Sequence, residues 1–174
     1  MKSEYIKNFM QLYRQSDLEL RIRVSGDSMF PILQNHDYVS IKRQNTYRVG
    51  DIIVYEKDIA IVHRIVYVER DSNKHEQKFV AKGDNNFIKD PPLCEQAILG
   101  RVIAIDHAGK RYAIDTDILQ KILTLLSKSK NILLSNTKIC QWVIRAKIVE
   151  YLQRLIVNRF YKCHYISERE SDKV

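Results

Sequence analysis

Hydrophobic and polar residues alternate through much of the first 114 positions. Residues 18–24 (Leu-Glu-Leu-Arg-Ile-Arg-Val) alternate strictly, a pattern typical of a half-buried β-strand. Further strands are predicted where β-branched and aromatic residues are concentrated between turn residues, at 38–41, 52–55, 59–68, 77–81, 97–105 and, as a short strand, 111–114. The pattern therefore predicts a mainly β body over residues 18–114.

Both ends of the chain carry a helical period instead. Apolar residues between 3 and 16 recur at roughly helical spacing, which predicts a short amphipathic helix within residues 1–17. The same spacing returns in residues 115–174 and predicts two helices, roughly 115–129 and 136–162. We therefore expect three parts, consisting of an N-terminal helix, a β body and a helical extension.

The net charge of +8 lies entirely in the predicted extension. Residues 118–167 hold nine Lys and Arg residues and one acid, Glu150, whereas the rest of the chain holds 20 basic and 20 acidic residues. Such an excess indicates an anionic partner, and we favour a peripheral contact with anionic membrane over nucleic acid. The alternative is that these helices pack on the β body or on a second copy of the chain, with a solvated basic face.

The composition, 45% hydrophobic and 29% charged, is that of a folded globular protein. An odd number of cysteines without metal-like spacing (Cys94, Cys140 and Cys163) suits reduced thiols, and we expect no metal and no cofactor. No stretch approaches 18 uncharged apolar residues, and the N-terminus lacks the order of a secretion signal. These features predict a cytoplasmic protein that associates at most peripherally with membrane.

The best candidate for chemistry is the stretch from Val24 to Pro31, Val-Ser-Gly-Asp-Ser-Met-Phe-Pro, with Ser28 as candidate nucleophile. Gly26 permits a positive φ or close approach of a substrate, and Pro31 restricts the backbone soon after the serine. We expect Met29 and Phe30 to anchor the turn in the core. A serine needs a neighbouring base to take its proton, so this stretch alone predicts a turn at least as well as a nucleophile.

Two later stretches supply the partners of a catalytic triad. His63 lies inside an apolar strand and is the candidate base, and Asp84, in a turn after another strand, is a candidate for the acid that orients it. Asp90, before two prolines, is the rival acid, and the sequence does not choose between them. His36 is a rival base that we discount, because a histidine in a polar turn is usually exposed.

Five boxes in this order resemble the type I signal peptidase family, over roughly residues 20–105. They are Gly-Asp-Ser-Met-Phe-Pro (26–31), Val-Gly-Asp-Ile-Ile-Val-Tyr (49–55), Val-His-Arg-Ile-Val (62–66), Lys-Gly-Asp-Asn-Asn (82–86) and Leu-Gly-Arg-Val (99–102). The histidine in the third box is similar to the endoplasmic-reticulum and archaeal branch, whereas bacterial enzymes usually carry a lysine base.

This resemblance implies a signal-peptidase-like β-sheet or barrel body and a serine endopeptidase that cleaves signal or leader peptides through an acyl-enzyme. Ser28 would be its nucleophile and His63 its base, and both Asp84 and Asp90 match acids that matter in the family. Gly26, Asp27 and Met29 are the candidate oxyanion and substrate-binding residues. The family normally has an N-terminal membrane helix, which this sequence does not show.

Two other functions stay open at this point. One is a non-catalytic adaptor that docks on anionic membrane or nucleic acid through the basic helices. The other is a self-cleaving repressor of the same β fold, which is disfavoured because no helix-turn-helix segment precedes residue 20. The expected partners are a peptide or protein substrate, the membrane surface and a second copy of the chain.

Overall fold

The structure, a computed structural model, describes residues 11–57, 59–70, 77–114 and 154–155. Residues 11–15 are helical, in agreement with the C-terminal part of the predicted first helix, and residues 154–155 are helical as well. The remainder of the predicted helices over 1–17, 115–129 and 136–162 lies outside the described residues. In the part of the chain that is described, no helix has the length and apolar character needed to cross a membrane.

In these ranges the body is one antiparallel sheet of eight strands, as the mainly β prediction requires. The strands are β1 (Glu19–Arg23), β2 (Tyr38–Lys42), β3 (Ile52–Glu56), β4 (Ala60–Arg70), β5 (Gln77–Lys82), β6 (Leu93–Cys94), β7 (Ile98–His107) and β8 (Lys110–Ala113). Their order is β1-β2-β7-β3-β4-β5-β6, with β8 paired to β7. Since β1 and β6 lie at the two ends of this order, the sheet is open over the described residues.

The last long strand occupies an interior position of the sheet. β7 pairs with β3 through residues 98–101 along one edge and with β2 through residues 101–106 along the other, and Arg101 has a partner in both strands. β7 therefore lies inside the sheet, between β2 and β3, and not at its edge. Gly100 sits at a close approach of two strands, since a Cβ there would lie 3.0 Å from the Lys42 carbonyl oxygen.

The core lies on both faces of the sheet, and β3 contributes to both. Ile52 and Val54 join the cluster built around β1, β2 and β7, whereas Ile53 and Tyr55 join a second cluster with residues of β4 and β5. A strand buried on both faces needs a continuous apolar run, and residues 52–55 have one. The side chains of Ile53 and Tyr55 point to the face on which the candidate site lies.

A β-bulge interrupts the regular alternation of β4. Its register against β5 shifts between Ile65 and Tyr67, so that Ile65 and Val68 contact the second cluster while Tyr67 is 55% exposed. Strict alternation along this strand would place Tyr67 on the face shared by Ile61, His63 and Ile65, and the bulge turns Tyr67 away from that face. His63 precedes the bulge and keeps the orientation that simple alternation predicts.

Candidate active site

The candidate nucleophile lies in a turn that directly follows β1. The Val24 N–H donates to the Asp37 carbonyl at 2.8 Å, which extends the pairing of β1 with β2 by one residue. Gly26 then has a φ of +89°, a left-handed conformation that an L side chain rarely adopts. The Gly26 N–H donates to Asn35 Oδ1 at 3.2 Å, which fixes the entry into the turn.

The other side of the turn is anchored in the core. Met29 is 2% exposed, and its carbonyl accepts hydrogen bonds of 3.1 Å from the N–H groups of Ile32 and Leu33. The prediction of a buried anchor is confirmed for Met29, whereas Phe30 is only half-buried and the Arg154 guanidinium lies 4.9 Å from its ring centroid. With Met29 pointing inward, the Ser28 hydroxyl reaches the opposite side, towards β4.

His63 connects the nucleophile to an acid. It lies on β4, directly opposite Ile53 of β3, and is 6% exposed. Its Nε2 is 3.1 Å from Ser28 Oγ, and its Nδ1 is 2.6 Å from Asp90 Oδ2. Because the two ring nitrogens face a hydroxyl and a carboxylate, the imidazole can carry its proton on Nδ1 and accept a proton from the serine at Nε2.

The two candidate acids have different partners. Asp84 forms a bidentate ion pair with Arg64, in which Nε and Nη2 each donate over 2.8 Å, and Arg64 Nη1 donates to the Gly50 carbonyl at 2.7 Å. Both residues are buried, with Arg64 at 0% exposure and Asp84 at 2%. The expectation that Asp84 could orient His63 is corrected, since its carboxylate is engaged by the guanidinium, and Asp90 is the acid that contacts the imidazole.

Asp90 is also held through its backbone. Its own N–H donates to the Ala81 carbonyl at 2.8 Å, which ties the Asp90 backbone to β5. Tyr55 lies beside the imidazole that Asp90 contacts, with its ring centroid 6.3 Å from that of His63. Burial, together with the Asp90 charge, raises the pKa of Tyr55, so its phenol keeps its proton. The sequence analysis placed Tyr55 only in a strand and missed its contact with His63.

The Lys-Gly-Asp-Asn-Asn box also holds the serine turn in place. The Asn85 N–H donates to the Ser28 carbonyl at 2.8 Å, and Asn85 Nδ2 donates to the Asp27 carbonyl at 3.2 Å. A Cβ at Gly83 would lie 2.6 Å from the Ser28 carbonyl oxygen. Sequence reasoning considered only the acid of this box, although the glycine and asparagine beside it were a signal of close backbone approach.

The remaining predicted residues surround the turn without touching the reacting atoms. Gly26 uses its N–H on Asn35 and is therefore unavailable as an oxyanion donor, Asp27 is exposed, and Met29 is core. His36 is exposed, and its Nδ1 contacts Arg23 Nη2 at 2.8 Å rather than the serine. The rival base is thus separate from the Ser28 hydroxyl, as its place in a polar turn predicts.

A cleft of about 290 Å³ leads to Ser28 between the end of β1 and the start of β4. It is lined on one side by Ile22, Arg23, Val24, Ser25, Ser28 and Met29, and on the other by Ile59, Ala60, Ile61 and Val62. Within the described residues β1 pairs only with β2, and β4 pairs with β5 only from Arg64 onwards. Both walls of the cleft therefore present unpaired strand edges.

Over the described residues, no group of three His, Cys, Asp or Glu side chains is arranged to hold a metal ion. Of the three cysteines, Cys94 is an exposed free thiol, and the other two lie outside the described residues.

Comparison with known proteins agrees with this geometry. Residues 4–103 match the family model described as Peptidase S24-like, which is more than half of the chain. The chain belongs to this peptidase family. It is also similar to the signal peptidase complex catalytic subunit of several yeasts, with 41% identity over 74 residues for Candida tropicalis, 44% over 74 for Eremothecium gossypii and 42% over 76 for Saccharomyces cerevisiae.

The resemblance to type I signal peptidases drawn from the five boxes is thereby confirmed. In each of these three pairs the aligned segment covers 40% of this chain and 43% or 44% of the relative. The chain thus spans less than half the length of the curated relatives it matches, and the similarity is to part of each relative.

Proposed function

We propose that this protein is a signal-peptidase-like serine endopeptidase in which Ser28, His63 and Asp90 act as nucleophile, general base and orienting acid. The observation that carries the proposal is the continuous line of contacts from Ser28 Oγ through His63 to Asp90, of 3.1 and 2.6 Å. Nucleophile, base and orienting group within hydrogen-bond reach are the arrangement that activates a serine.

The proposed reaction proceeds through an acyl-enzyme. Ser28 Oγ attacks the carbonyl carbon of the scissile peptide bond while its proton moves to His63 Nε2. The tetrahedral intermediate then releases the amine, which takes that proton from His63 as it leaves. A water molecule, deprotonated by the same nitrogen, hydrolyses the ester and restores Ser28. The Ser28 N–H is the proposed oxyanion donor, because backbone N–H groups beside the nucleophile are the common source of this stabilisation.

The cleft supports an extended peptide as the substrate. A peptide lying between β1 and β4 could form backbone hydrogen bonds with both unpaired edges, in the manner of an added strand. The cleft holds only about 290 Å³, and the apolar Met29 and Val62 are among the side chains that line it, which favours small residues beside the scissile bond. Because the yeast relatives carry the name signal peptidase, we infer that signal or leader peptides are the substrate class.

The site of action and the remaining partners stay predictions. Residues 118–167, with an excess of eight positive charges, are predicted to contact anionic membrane from the cytoplasmic side. Flotation of the full chain with vesicles that do or do not contain phosphatidylserine tests this contact separately from the peptidase activity.

Labelling with a fluorophosphonate probe tests the proposed nucleophile. The full chain should gain the mass of one phosphonyl group on Ser28, and Ser28→Ala and His63→Ala should each abolish or strongly reduce the labelling rate. His36→Asn is the matched control, because it removes an exposed histidine that bonds Arg23, and asparagine tolerates the positive φ of 78° at that position. This variant should label at the wild-type rate.

A folded wild-type protein that does not label would contradict the proposal, as would a Ser28→Ala variant labelled as fast as wild type. Circular dichroism on each variant distinguishes loss of chemistry from loss of fold. Cleavage of peptides with small residues at the scissile bond, against peptides with bulky residues there, then tests the inferred specificity.

A further inference from the structure

The cleft that leads to Ser28 contains a positive charge. Among the residues that line it, Arg23 is the only charged one, and the others are aliphatic residues, a methionine and serines. The Arg23 side chain is exposed, and a guanidinium is charged at every pH at which proteins are folded. The proposed acylation does not use this charge, so its place in the cleft calls for a separate explanation.

The backbone of Arg23 faces the open edge of β1. The Val24 N–H donates to the Asp37 carbonyl at 2.8 Å and the Val24 carbonyl accepts from the His36 N–H at 3.1 Å, so Val24 bonds on the β2 side of the strand. Because successive residues of a strand turn their N–H and C=O groups to opposite edges, Arg23 turns its own groups towards the cleft. A peptide added along this edge would therefore bond Arg23 through its backbone. The peptide residue directly opposite would hold its Cβ about 5 Å from that of Arg23, on the same face.

The charge of Arg23 is not compensated by an acid. Its Nη2 lies 2.8 Å from His36 Nδ1, and because a guanidinium only donates, the imidazole accepts this bond as the neutral ring. No acidic side chain within the described ranges forms an ion pair with Arg23. Arg21, two residues earlier on the same face of β1, differs in this respect. Its guanidinium pairs with Asp106 at 2.8 Å and lies 4.2 Å from the centroid of the Tyr38 ring.

We propose that Arg23 is a specificity residue, which selects extended peptides that carry an acidic side chain at the position opposite it. The inference rests on the proposed function and adds a charge preference to the small residues inferred beside the scissile bond. A carboxylate opposite Arg23 forms an ion pair without breaking one that already exists in the protein. A lysine or arginine at that position is repelled by the guanidinium.

Cleavage of matched peptides tests this preference. Glu and Gln are compared at one position at a time in an otherwise uncharged peptide that has alanine on both sides of the scissile bond. At one position kcat/KM should be about fivefold higher for Glu than for Gln, as for a favourable exposed ion pair, and Lys should lower it. The advantage of Glu should shrink as the salt concentration rises, because exposed charges are screened.

Arg21→Gln is the matched control for Arg23→Gln. Both changes remove an exposed arginine from the same face of β1, and only Arg23 lines the cleft. Arg23→Gln should abolish the advantage of Glu, Arg23→Glu should reverse it in favour of Lys, and Arg21→Gln should retain it. The inference is overturned if no peptide position distinguishes Glu from Gln in the wild type, or if the preference survives in Arg23→Gln.

A binding measurement keeps this inference distinguishable from the proposed catalysis. Ser28→Ala lacks the nucleophile, and fluorescence anisotropy gives its affinity for the same peptides carrying a dye. At the selective position, the Glu peptide should bind about fivefold more tightly than the Gln peptide. A wild-type protein that neither cleaves a peptide nor reacts with the fluorophosphonate overturns the proposed function. Equal affinities of Ser28→Ala for the Glu and Gln peptides at every position overturn the role of Arg23.

Discussion

Asp84→Asn is expected to reduce stability and to spare the chemistry of the site. Asp90→Asn is expected to impair the chemistry with little loss of stability. Asp84 bonds the buried guanidinium of Arg64 at 2.8 Å through both oxygens, whereas Asp90 has a side chain that is 20% exposed and bonds His63. Replacing either carboxylate by an amide keeps its shape and removes its charge. The first change therefore leaves a buried cation without its counterion, and the second leaves the imidazole without its orienting acid.

The magnitude for Asp84 follows from the burial of its partner. Arg64 is 0% exposed and donates to Asp84 from two nitrogens and to Gly50 from a third, so water cannot replace the lost carboxylate. Removing one partner of a buried pair destabilises a protein by about 3–5 kcal/mol. With a urea dependence of about 2 kcal/mol per molar, this moves the unfolding midpoint down by about 2 M.

Urea unfolding followed by circular dichroism, and fluorophosphonate labelling in the absence of urea, measure the two effects. Asp84→Asn should unfold at a lower urea midpoint and still react with the probe while it is folded. Asp90→Asn should lose most of its labelling, with a much smaller change in the urea midpoint. The double variant Arg64→Met with Asp84→Leu is the control, because replacing both charges by apolar groups removes the orphaned cation. An Asp84→Asn protein of wild-type stability that fails to label, together with a fully active Asp90→Asn, would refute the assignment of the acids.

Two further predictions concern the serine turn and a buried carboxyl. Gly83→Ala should slow labelling about 100-fold, because its Cβ would lie 2.6 Å from the Ser28 carbonyl oxygen and displace the nucleophile, and an unchanged labelling rate would contradict the close packing. Asp51 is 1% exposed, and its burial raises the pKa of the carboxyl above the usual 3.8. Because the folded state holds this proton more tightly, its contribution to stability is present below pH 3.8 and is lost as the pH rises through the folded pKa. Urea midpoints measured upward from pH 4 should therefore show this loss in wild type and not in Asp51→Asn, and parallel pH profiles would contradict it.

The sequence by itself determined every strand except the two-residue β6, and the residue types of the site. Alternation of period two locates β1 and the first half of β4, and the continuous apolar run locates β3, because burial of one face or of both leaves a direct record in the residue pattern. The five boxes gave the family and supplied a serine, a histidine and two acids in chain order. Those inferences depend on local pattern, which a single chain displays.

Only the tertiary structure decided which groups meet. Asp84 and Asp90 are six residues apart and are equally plausible in sequence as the orienting acid. They have different partners because Arg64 and His63 lie on opposite faces of β4, and Asp84 meets Arg64 while Asp90 meets His63. Tyr55 entered the site for the same reason, since antiparallel pairing of β3 with β4 brings it diagonal to His63. The interior position of β7 and the bulge after Ile65 likewise depend on register between strands distant in sequence. Hydrogen bonds and ion pairs act over about 3 Å, so contacts between strands are fixed by pairing and register rather than by the sequence around each residue.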